Sequence, residues 1–93
     1  MEKIWLQEYP EGVPAEINVD EFPSLREFLE QSFSKYRSLP AFTNMDHSIS
    51  FGELDEMSRY LGAWLQKNAG LTKGDCVAIM MPNVIQYAVA VAA

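Results

Sequence analysis

The chain has 93 residues, 48% of them hydrophobic and 22% charged, and a net charge of −6 from 13 acidic and 7 basic side chains. This balance excludes collagen-like and fully disordered chains, and its acidity argues against nucleic acid, whose phosphates it repels. A single cysteine and a single histidine make neither an internal disulfide nor a structural zinc site.

The opening Met1-Glu2-Lys3-Ile4-Trp5-Leu6-Gln7-Glu8 has no basic run before an apolar core, so it does not read as a signal peptide. The longest apolar run, Tyr87 to Ala93, falls short of the ~20 residues of a membrane span. A cytoplasmic protein is expected. Residues 1–23 hold Pro10, Pro14 and Pro23, with six acids against Lys3. They keep neither helical nor strand periodicity and read as an extended arm. Its apolar residues (Ile4, Trp5, Leu6, Tyr9, Val13, Ile17, Val19, Phe22) are expected to lie against a surface.

Ser24-Leu25-Arg26-Glu27 is a capping box that starts a helix. Leu25, Phe28, Leu29, Phe33 and Tyr36 form its apolar stripe. Pro40 forbids continuation. A short hairpin is expected over 40–51, from Ala41-Phe42-Thr43 through a turn at 44–47 to Ser48-Ile49-Ser50. A second capping box follows at Ser50-Phe51-Gly52-Glu53, with Ile49 and Leu54 placed as a hydrophobic staple. Leu54, Met57, Leu61, Trp64 and Leu65 are its buried stripe, and Gly70 is the expected C′ residue.

Cys76-Val77-Ala78-Ile79-Met80-Met81 is a continuous apolar run of strand length. Absence of alternation marks a parallel strand covered on both faces. Val84 to Ala93 reads as a helix apolar nearly all round, and so buried. A doubly covered strand needs neighbours on its sheet, and small chains fill a core poorly. The expected fold is therefore α/β and incomplete on its own. An arm at 1–23 precedes the start of a larger domain at 24–93.

No motif carries chemistry. Glu53, Asp55 and Glu56 suit the positive end of a helix dipole better than a paired-carboxylate site. Asp46, His47 and Ser48 are adjacent in a turn and cannot converge on one reacting centre. Gly70-Leu71-Thr72-Lys73-Gly74 follows a helix and precedes a strand, the reverse of a phosphate-binding loop. Cys76 reads as a small buried hydrophobe.

The segments Ile49 to Arg59, Leu71-Thr72-Lys73-Gly74-Asp75 and Val77-Ala78-Ile79-Met80-Met81-Pro82-Asn83 resemble the start of the adenylate-forming (AMP-binding) superfamily. The opening Ile4-Trp5-Leu6, Tyr9-Pro10 and Val13-Pro14-Ala15-Glu16-Ile17-Asn18 is similar to that of bacterial long-chain fatty acid–CoA ligases. Cys76 departs from the arginine common in relatives. The resemblance implies the amino-terminal portion of the large domain: arm, hairpin, helices and first parallel strand-helix. It implies a parent enzyme that uses Mg-ATP and coenzyme A to activate a fatty acid as acyl-adenylate and release AMP and pyrophosphate. The phosphate loop, the nucleotide pocket and the mobile lysine of the family lie downstream of Ala93. No catalytic, cofactor-binding or metal-binding residue is therefore assigned here, and no cofactor belongs to this segment. The remainder of the parent chain is the expected partner. Peripheral association of the parent with the inner membrane and strand-exchanged self-association of the segment are candidates. The alternatives are a small acidic carrier or interaction domain, whose nearest attachment sequence is Asp46-His47-Ser48-Ile49, and an adenylate-forming enzyme for another carboxylate.

Overall fold

A computed structural model describes residues 1–93. The turn residues Met45 and Asp46 both have positive φ, 51° and 61°. That is the mirror-image turn whose twist matches a hairpin. It joins strand β1 (Pro40–Asn44) to strand β2 (His47–Ser50) in antiparallel register, Asn44 opposite His47 and Thr43 opposite Ser48. The Thr43 and Ser48 hydroxyls bond across the ladder at 2.6 Å. The register shifts between Pro40 and Phe42, where a bulge accommodates a residue with no amide donor.

Strand β2 enters helix α2 (Phe51–Lys67) with no linker. The Ser50 hydroxyl accepts from the Glu53 amide at 3.1 Å, and the Glu53 carboxylate accepts from the Ser50 amide at 2.8 Å. The capping box is complete, as the sequence predicts. Ile49 and Leu54, on either side of it, are 3% and 2% exposed. With Phe33 they make the buried core. Phe33 comes from helix α1 (Leu25–Lys35), where the Ser24 hydroxyl accepts from the Glu27 amide at 3.2 Å. Here only half of the predicted box forms. Gly52 is buried where α2 meets the chain leaving α1, and its amide donates to the Arg37 carbonyl at 2.9 Å. A Cβ on Gly52 would stand 2.9 Å from Arg37 Cγ and 3.1 Å from that carbonyl oxygen, so any larger residue would have to push the two segments apart.

Gly70, at φ +71°, lies three positions beyond Lys67 and not at C′. The left-handed backbone there still turns the chain, and the Leu71 amide bonds back to the Leu65 carbonyl at 3.0 Å. Helix α3 (Ile85–Ala92) then lies along α2, and Ile85, Ala88, Val89 and Ala92 pack on the core.

Four further expectations are corrected. Residues 76–81 form no strand, and all six are exposed. The only sheet is the two-stranded β1-β2 hairpin, so no ladder partner reaches this run. Cys76 is accordingly exposed and not a buried hydrophobe. Helix α3 has no fully buried residue, because only one of its faces meets protein. The arm does not lie on a surface. It holds one 3₁₀ turn (Ile4–Glu8), and Ile4, Trp5, Tyr9, Val13, Ile17 and Val19 remain exposed. Its one aromatic anchor is Phe22, edge-on to Phe28 at 4.9 Å.

The chain exposes 8091 Å², against about 5,400 Å² for a compact protein of its mass. Its radius of gyration is 17.2 Å, against about 12 Å for a compact chain of this length. A core this small concentrates the response to mutation. Leu54→Ala should cost about 2–5 kcal/mol, comparable with the roughly 5 kcal/mol total of a small domain. Circular dichroism should show L54A without a cooperative thermal transition. Met57→Ala, on the same helix but exposed, should retain one.

Candidate functional site

Two open grooves flank helix α2. One, of about 570 Å³, lies between the carboxyl half of α2, residues 71–81 and α3. Leu61, Leu65, Val77, Ile79 and Ala90 give it apolar walls. The other, of about 730 Å³, lies between α1, α2 and the end of α3. It carries the main cluster of charge. Asp55 accepts from Arg59 Nε at 2.8 Å and meets Arg37 at 3.5 Å. Glu30 meets Arg26 at 3.1 Å and Arg59 at 3.9 Å. Each carboxylate faces two guanidinium groups, so the two acids do not face one another as an acid–base pair would. The chain ties α1 to α2 at the surface, where each such pair contributes about 0–1 kcal/mol. The (i, i+4) pairs Arg26–Glu30 and Asp55–Arg59 follow from sequence spacing. The Arg37 and Glu30–Arg59 links do not, since they depend on how α1 and α2 cross.

The glycine-flanked loop at 70–74 is occupied from within. Gly74 has φ +98°. The Asp75 carboxylate accepts from the Thr72 amide at 2.8 Å and from its hydroxyl at 3.3 Å, while the Asp75 amide donates to the Thr72 carbonyl at 3.1 Å. A phosphate site needs free amides and a cation. This turn instead presents an acid already bonded to its amide. No three Asp, Glu, His or Cys side chains stand together in metal-binding geometry.

His47 is exposed at the start of β2. The neighbouring Ser48 hydroxyl bonds to Thr43, so Asp46, His47 and Ser48 form no relay. Cys76 is exposed, follows Asp75 in the chain and lies outside every helix and strand.

Residues 29–93 match the family described as AMP-binding enzyme. The chain belongs to that family. It is 51% identical over 90 residues to a long-chain-fatty-acid–CoA ligase of Escherichia coli O6:H1, an alignment covering 97% of this chain and 16% of that protein. Ligases of the same name from Haemophilus influenzae and Bacillus subtilis are 38% identical over 90 residues and 34% identical over 85. These cover 97% and 91% of this chain, and 16% and 15% of the relatives. The chain thus spans about a sixth of the length of the curated relatives it matches. No solved structure matches. No helix is long and apolar enough to cross a membrane.

The exposed thiol gives a direct check. Cys76 should react fully with a disulfide reagent such as DTNB in native buffer, at the rate seen in denaturant. A lag that denaturant abolishes would mean that the 76–81 run is covered.

Proposed function

We propose that this chain is the amino-terminal scaffold segment of a long-chain fatty acid–CoA ligase. The alignment over 97% of the chain carries the reading. The general AMP-binding match begins at residue 29, whereas the 90-residue alignments take in nearly all of the arm as well. Likeness in the arm narrows the parent from adenylate-forming enzymes at large to the fatty acid ligases. The acidic-carrier alternative is not favoured. Its candidate attachment serine, Ser48, lies within β2 with its hydroxyl bonded to Thr43.

The parent enzyme joins a fatty acid to coenzyme A at the expense of ATP, through an acyl-adenylate, releasing AMP and pyrophosphate. A carboxylate is a poor acyl donor because oxide would have to leave, and adenylation supplies AMP as the leaving group. Holding that chemistry takes phosphate ligands, a divalent ion and an in-line nucleophile. Residues 1–93 serve it as framework: an arm at 1–23, then the hairpin and helices that begin the large domain at 24–93. Their partner is the rest of the parent chain. On this reading the parent is cytoplasmic and peripheral at the inner membrane, where long acyl chains partition.

Two measurements test this. A pyrophosphate-release assay with ATP, oleate, coenzyme A and this chain alone should give only background. Co-expression with the E. coli ligase lacking its aligned segment should restore acyl-CoA formation, and Leu54→Ala in this chain should abolish the rescue. Turnover by the isolated chain, or rescue that ignores L54A, would overturn the reading.

A further inference from the structure

We draw no further inference here: the strongest candidate, the open apolar groove that Leu61, Leu65, Val77, Ile79 and Ala90 line between α2, residues 71–81 and α3, carries nothing because it is an unpartnered apolar face and nothing in the structure shows what covers it.

Discussion

Everything ordered in this chain depends on how Ser50 ends a strand and starts a helix in one residue. Its extended backbone, φ −78° and ψ 165°, suits both roles. The reciprocal bonds with Glu53 satisfy amides that would otherwise be unmet at the head of α2. Because no linker intervenes, the hairpin and α2 hold a fixed relation. That relation places Ile49 and Leu54 on one side, where Phe33 can reach them. The close approach at Gly52 brings the chain leaving α1 alongside. Loosening this joint would separate β2, α2 and α1 together.

What was legible in the sequence was local. Both serine caps, the hairpin, the staple and the start of α2 follow from residues within a few positions of one another. The 76–81 run shows the limit. Its composition states a preference for a strand, but a strand exists only when another backbone satisfies its amides, and that condition lies outside the run. The buried character expected of Cys76 went with it, while that of α3, read from its all-round apolar composition, failed because only one of its faces meets protein. Stripe positions such as Met57 and Trp64 failed likewise: the face they occupy is apolar, yet no element covers it. The candidate site was legible mainly by elimination. The order of elements around 70–74 argued against a phosphate loop from a helix before it and a strand after it, and only the helix is present. The Asp75 bond to the Thr72 amide supplies the atomic reason. The guanidinium–carboxylate chain was half visible, through its (i, i+4) pairs alone.

Function is carried by a different kind of observation. Neither fold nor charge distinguishes a scaffold piece from any other small acidic helical segment. Kinship with the AMP-binding enzymes does, and the arm refines it.

The compactness of the core in sequence has a consequence for biosynthesis. Phe33, Ile49 and Leu54 come from one contiguous stretch closed by a two-residue loop, so few long-range contacts have to be found. A ribosome that has released α2 has already delivered the three buried residues, to which α3 adds its apolar face later. The hairpin and its two helices can settle while later residues are still being translated, giving a nascent chain an early foothold.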